Sequence, residues 1–111
     1  MIANETMSQH SFLTGMYSDG YFPDICVDKV KSVLVRLCES IEAEKPTDLA
    51  GLYRLTHAST EEINALEEFF EEHDSELETG ARETMGDDFA TIAAAYGFDA
   101  DIEELIATRD W

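Results

Sequence analysis

The chain of 111 residues contains 25 acidic side chains but only 7 from Lys and Arg, which gives a formal net charge of −18. Its length suits one domain, and its 44% apolar residues suffice for a buried core. A negative charge of this size argues against direct binding to nucleic-acid phosphates or to an anionic membrane surface. No apolar run approaches the roughly 18–20 residues of a membrane-spanning helix, and the N-terminal residues lack the pattern of a signal peptide, so we expect a cytoplasmic protein.

Apolar residues at helical spacing predict three helices in the first half of the chain. The first helix is predicted over residues 5–17 and ends at a turn with the sequence Ser-Asp-Gly at residues 18–20. Pro23 suits the first position of the second helix, which is predicted to extend to about residue 43. Apolar residues recur along it at spacings of three and four, and because it also carries Val27 and Val35 we expect this helix at the centre of the fold. Thr47 is predicted to cap the third helix.

Two capping boxes predict helix starts in the second half of the chain. In the sequence Ser-Thr-Glu-Glu at residues 59–62, the first and last side chains would each accept a hydrogen bond from the other residue's amide, and Ser-Glu-Leu-Glu at residues 75–78 repeats the pattern. Gly97 suits the left-handed position that closes a helix, and Asp99 is predicted to cap a last short helix that ends at Trp111. These elements predict an all-α fold, a compact single-domain bundle of five to six helices over residues 1–111.

The two cysteines, Cys26 and Cys38, both fall in the second predicted helix. At about 1.5 Å of rise per residue they lie roughly 18 Å apart. Because a disulfide needs Cα atoms within about 7 Å, these cysteines cannot pair with each other. We expect buried free thiols in a reducing compartment.

The negative charge is concentrated in the second half of the chain. Residues 1–55 hold 8 acids and 5 bases, a net charge of −3, whereas residues 56–111 hold 17 acids and 2 bases, a net charge of −15. Between residues 61 and 78 there are nine acids and neither Lys nor Arg.

A helix that began at residue 59 would have two contrasting sides. One sector of about 120° holds the apolar residues Ile63, Leu66, Phe69 and Phe70. The opposite side carries glutamates, and their like-charge pairs at i, i+4 each cost a few tenths of a kcal/mol. We interpret this side as a docking surface for a cationic protein; the alternative is a face that is only solvated. The candidate partner-binding residues are Glu61, Glu67, Glu68, Glu71, Glu72, Asp74, Glu76 and Tyr21.

Tyr21 is included as an exposed aromatic anchor for that partner. The alternative for this residue is a turn that aromatic packing holds against the core.

His57 is the one histidine with a spacing that suits metal binding. Glu61 follows it at i+4, and both could contribute ligands to a metal if the helix were continuous. The capping box at residues 59–62 would break that helix, so we favour a helix-end or interface role for His57. His10 and His73 are expected to be exposed. No catalytic residue, cofactor or metal site is predicted.

Several stretches of the chain resemble a family of small bacterial proteins filed as a domain of unknown function. They are FLTGMYSDGYFPD, LYRLTHASTEEIN, ELETGARE and AAAYGFDADIEELIATRDW, which together span most of the chain. The resemblance implies a compact, self-contained cytoplasmic domain and brings no catalytic residue. More loosely, small acidic helical proteins of bacteria are similar to immunity proteins and antitoxins, which neutralise basic toxin domains; this analogy rests on charge and size alone.

Our leading hypothesis is therefore a non-enzymatic protein-binding domain that neutralises a basic protein, such as a toxin nuclease, by covering its substrate groove. Two alternatives remain. One is a metal-dependent enzyme that uses His57 and the nearby carboxylates. The other is a structural domain whose acidity only keeps it in solution.

Overall fold

A 21-residue helix forms the centre of the structure, a computed structural model that describes residues 2–111. The described chain forms helices α1 (Glu5–Gln9), α2 (Thr14–Ser18), α3 (Asp24–Glu44), α4 (Leu49–Asn64), α5 (Glu67–Glu72), α6 (Thr79–Ala95) and α7 (Ile102–Leu105). α3 packs along α4, whereas α6 packs against α1, α2 and α7. The predicted all-α fold is confirmed. No helix within residues 2–111 combines the length and the apolar character that crossing a bilayer would require.

The apolar side of α3 supplies the largest share of the core, as its periodicity predicts. Its buried residues are Cys26, Val27, Val30, Val33, Leu34, Leu37, Cys38 and Ile41. Both cysteines are free thiols, and burial raises the pKa of the Cys38 thiol to about 12. The thiols are therefore protonated at neutral pH, in keeping with a packing role.

The predicted helix over residues 5–17 is interrupted, and the prediction was wrong at this point. The break lies at Leu13, which is fully buried and adopts a left-handed conformation with φ of 56°. A carboxylate on α6 holds this backbone in place: Asp88 Oδ2 accepts a hydrogen bond from the Leu13 amide at 2.7 Å. Asp88 Oδ1 lies 2.9 Å from His10 Nε2, so His10 is partly buried and paired, not exposed as expected.

We predict that Asp88→Ala lowers the free energy of unfolding by about 1–3 kcal/mol, because it leaves the buried Leu13 amide without an acceptor. Asp87→Ala is the matched control, since Asp87 is the exposed neighbour on the same helix. Urea denaturation of both variants measures the difference. Equal losses of stability in the two variants would contradict the anchoring role of Asp88.

The first capping box does not start a helix. α4 continues through it to Asn64, and Ser59 and Thr60 are buried inside the helix. The Thr60 hydroxyl donates to the Thr56 carbonyl at 2.8 Å, one turn back. At the other end of α4, the cap is Asp48 and not Thr47: the Asp48 side chain accepts from the Gly51 amide at 2.9 Å.

The second capping box also serves a different purpose from the one predicted. The Ser75 hydroxyl donates to the Tyr21 carbonyl at 3.0 Å, which joins the segment after α5 to the turn before α3. α6 then starts at Thr79, and its cap is Glu78, whose side chain accepts from the Gly80 amide.

Of the two predictions for the chain after α6, that for Gly97 is confirmed and that for the last helix is wrong. Gly97 has a φ of 86°, so its predicted left-handed conformation is confirmed. The last helix is capped by Asp101 instead of Asp99 and ends at Leu105, well before Trp111.

Substitutions at Asp48, which caps α4, and at Ser59, where the sequence pattern predicted a helix start, test the structure against that pattern. We predict that Asp48→Ala costs about 1 kcal/mol of the free energy of unfolding, because the Gly51 amide loses its acceptor. Ser59→Ala should cause no loss, since alanine has the higher propensity inside a helix. Chemical denaturation of the two variants provides the comparison. A loss at Ser59 as large as that at Asp48 would favour a helix start at residue 59.

Candidate protein-binding surface

The predicted acidic helix is divided between two helices of the structure. Glu61 lies in the last turn of α4, and Glu67 begins α5 after a break at Ala65 and Leu66. The expected apolar side is partly confirmed, because Ile63 and Phe70 are fully buried while Leu66 and Phe69 are only half-buried. Phe70 anchors the short α5 to the core.

A lysine from α3 approaches the apolar side of α5. The Lys29 ammonium group lies 5.4 Å from the centre of the Phe69 ring, within the range of a cation–π contact. The His73 ring also packs against Phe69, with 4.5 Å between the two ring centres. His73 Nδ1 lies 2.9 Å from the Phe69 carbonyl oxygen. His73 is thus partly buried, in contrast to the expectation.

We define the acidic surface as the seven candidate carboxylates Glu61, Glu67, Glu68, Glu71, Glu72, Asp74 and Glu76. All are exposed except Glu67, which is half-buried. The ion pairs within residues 2–111 are His10–Asp88, Arg36–Glu62, Arg54–Glu44 and Arg109–Glu103. None of them includes a member of the acidic surface.

Part of the acidic surface forms a cleft of about 270 Å³. We call it the α5 cleft; it is lined by Glu67, Glu71, Glu76, Leu77, Asp110 and Trp111. Asp110 and Trp111 were not among the predicted site residues. They reach the cleft only through the fold, and no local pattern around them indicates it. Glu61 is not part of the cleft lining.

Side-chain hydrogen bonds from α4 and α6 hold the last residues beside α5. Asn64, at the end of α4, accepts from the Asp110 amide at 2.8 Å and donates to the Thr108 carbonyl at 3.0 Å. Arg82 on α6 donates through Nε to the Trp111 carbonyl at 3.2 Å. The two sides of the α5 cleft therefore come from parts of the chain that are more than thirty residues apart in sequence.

Two buried polar atoms of the α5 cleft residues have no hydrogen-bond partner within residues 2–111. They are Glu67 Oε1, an acceptor, and Trp111 Nε1, a donor. The whole Trp111 side chain is nearly enclosed, with 6% of its surface exposed. A buried polar group without a partner is unfavourable, so these two atoms distinguish the cleft from a merely solvated group of acids.

Tyr21 lies at the edge of the acidic surface with 44% of its surface exposed. Its ring packs edge-on against Phe22, which is buried. Partial dehydration and the negative charges of Glu76 and Glu78 raise the pKa of the Tyr21 hydroxyl above its ordinary value. The turn is thus held by Phe22, and the Tyr21 ring remains available beside the glutamates.

His57 is engaged in a contact between helices. Its Nε2 atom lies 2.6 Å from the Glu104 carbonyl oxygen, and its ring stacks on Tyr53. Because α4 is continuous, Glu61 does lie one turn from His57 on the same helix, and the predicted break between them was wrong. Nevertheless, residues 2–111 contain no group of three or more His, Cys, Asp or Glu side chains placed to hold a metal ion.

A second cleft, of about 430 Å³, lies between the end of α3 and the start of α1. Its carboxylate, Glu42, accepts hydrogen bonds from the Tyr96 hydroxyl at 2.5 Å and from the amides of Ala3 and Asn4. These bonds, that from Tyr96 first, lower the pKa of Glu42. The protein itself uses this carboxylate, which ties residues 3 and 4 to α3 and α6.

Comparison with known proteins places the chain in a family. The profile described as "Family of unknown function (DUF5713)" matches residues 6–111. The chain belongs to this family. The match confirms the resemblance inferred from the sequence and covers all residues of the α5 cleft. No curated protein and no solved structure matches this DUF5713 member, so its site is described from its own geometry alone.

We predict that salt stabilises this DUF5713 protein, because it screens repulsion within the acidic surface. Raising NaCl from 0.01 to 0.15 M shortens the Debye length from about 30 to about 8 Å and should raise the free energy of unfolding measured in urea. Glu68→Gln with Glu72→Gln removes one i, i+4 repulsion and should weaken this salt dependence.

Glu103→Gln is the control for that measurement, because it removes a carboxylate that is paired with Arg109. If the free energy of unfolding depended on salt equally in wild type, in the double variant and in Glu103→Gln, the predicted repulsion would be contradicted.

Proposed function

We propose that this protein is a non-enzymatic binding domain whose acidic surface docks on a basic protein. The observation that carries the proposal is that the seven carboxylates of the acidic surface make no ion pair within residues 2–111. Because like charges on α5 destabilise the isolated fold, their concentration is better explained by a cationic partner than by solubility, for which interleaved lysines would serve.

Charge complementarity would act on association and selectivity. A strongly negative surface speeds the encounter with a basic protein and disfavours acidic ones. Affinity also requires an apolar anchor, because a few well-packed aromatic residues dominate most interfaces. Tyr21 supports the proposal on this point, since its exposed ring borders Glu76 and Glu78.

The class of partner that fits best is a cationic enzyme, such as a toxin nuclease. Enzymes that bind nucleic acids present basic grooves to phosphates, and an acidic protein that occupies such a groove blocks the substrate. The small size and the net charge of −18 support an immunity or antitoxin type of neutraliser. This inference is an analogy of charge and size.

The test starts with affinity capture of the partner from cells of the source organism and its identification. Calorimetric titration of the purified pair then compares wild type with a variant that carries Glu67→Lys, Glu68→Lys, Glu71→Lys and Glu72→Lys. We expect the Kd of this variant to rise more than tenfold at 50 mM NaCl. The effect should shrink at 300 mM NaCl because the interaction is screened.

A second fourfold variant controls for total charge. It carries Glu83→Lys, Asp87→Lys, Asp99→Lys and Glu104→Lys, at four exposed sites outside the acidic surface. Its Kd should rise less than threefold. If the variant with four lysines on α5 bound the partner with wild-type affinity, the docking surface would be rejected. That result would favour the alternative in which the acids only solvate the fold.

A further inference from the structure

We propose that the α5 cleft binds an arginine residue of the partner. The guanidinium group lies among the carboxylates of Glu67, Glu71, Glu76 and Asp110, while the backbone carbonyl of the same residue accepts from the Trp111 indole. This inference rests on the proposed function and adds to it the chemistry that the partner must present at one point of the interface.

The carboxylates of the α5 cleft require an extended cation. They come from three parts of the chain: α5, the segment before α6, and the residues after α7. No basic side chain from the described part of the chain lines the cleft. Residues 2–111 contain no set of three or more carboxylates placed around a single metal ion. A compact ion therefore does not contact all the carboxylates of the cleft at once. A planar guanidinium, with five N–H donors that point outward in a plane, reaches several separate carboxylates at once.

The two unpartnered buried atoms indicate that the occupant is an amino-acid residue and not a bare cation. Glu67 Oε1 requires a donor, and Trp111 Nε1 requires an acceptor. A guanidinium or ammonium ion supplies donors only. An arginine residue within a peptide supplies both groups, the side chain as donor and the backbone carbonyl as acceptor.

The dimensions and the wall of the cleft agree with a single side chain. Its volume of about 270 Å³ is too small for a folded element, and its lining is mainly polar, which suits a guanidinium group. The protein's own Arg82 does not fill the cleft. Its Nε atom donates to the Trp111 carbonyl, and it forms no ion pair with the acidic surface in the described part of the chain.

The single tryptophan of the chain provides a direct probe. ¹⁵N-labelled protein shows one indole N–H resonance, from Trp111, and is titrated with N-acetyl-arginine amide at constant ionic strength. We expect a saturable shift of this resonance. N-acetyl-lysine amide should bind at least threefold more weakly, and the neutral isostere N-acetyl-citrulline amide should leave the resonance unshifted.

Matched variants assign the binding to the cleft. Glu67→Gln with Glu71→Gln should weaken the arginine analogue about tenfold, whereas Glu68→Gln with Glu72→Gln, the same change of charge on the same helix, should change its affinity less than twofold. Glutamine keeps the size of the side chain, and a wild-type spectrum outside the cleft verifies the fold. An indole resonance that does not respond to arginine, or equal effects of the two double variants, would overturn the proposal.

The same variants separate this inference from the proposed function. If the fourfold lysine variant of α5 loses the partner but the partner leaves the Trp111 resonance unshifted, the cleft inference fails and the docking surface stands. If the arginine analogue binds the cleft but the fourfold variant keeps full affinity for the partner, the proposed function fails and the cleft remains a binding site for arginine.

Discussion

Burial of the apolar side of α3 is the constraint on which the rest of the structure depends. Of the seven helices within residues 2–111, α1, α2, α5 and α7 have only four to six residues and are too short to be stable alone. They persist because residues such as Phe70 and Leu105 are fully buried in the core that α3 organises. Long-range hydrogen bonds from side chains also hold the segments beside these short helices.

These long-range hydrogen bonds determine where the short helices lie. Asp88 on α6 holds the backbone between α1 and α2, and Ser75 joins the segment after α5 to the turn before α3. Asn64 and Arg82 hold the residues that follow α7. Each bond joins a side chain to a main-chain group that lies outside the helices and therefore needs a partner from elsewhere in the fold. The α5 cleft is a consequence of this arrangement.

The distribution of charge follows from the same arrangement. The basic residues Arg36, Arg54 and Arg109 each form an ion pair outside the acidic surface, and Lys29 packs over Phe69. The fold therefore leaves the glutamates of α5 in mutual repulsion, at a cost to its stability that burial of the core must offset. A cationic partner would remove this cost on binding, which is the physical link between the stability of the domain and its proposed function.

The sequence by itself determined the helical class, the central position of α3, the buried cysteines and the left-handed Gly97, because these features depend on periodicity or on the conformational limits of one residue. It also indicated the concentration of acids in the second half. Only the tertiary structure decided where helices begin and break. Both capping boxes were misleading, because Ser59 is enclosed within α4 and the Ser75 hydroxyl bonds to Tyr21 across the fold. The α5 cleft was likewise beyond local patterns, since Asp110 and Trp111 meet Glu67 only after the core has folded, and hydrogen bonds between distant residues leave no periodic signal in the chain.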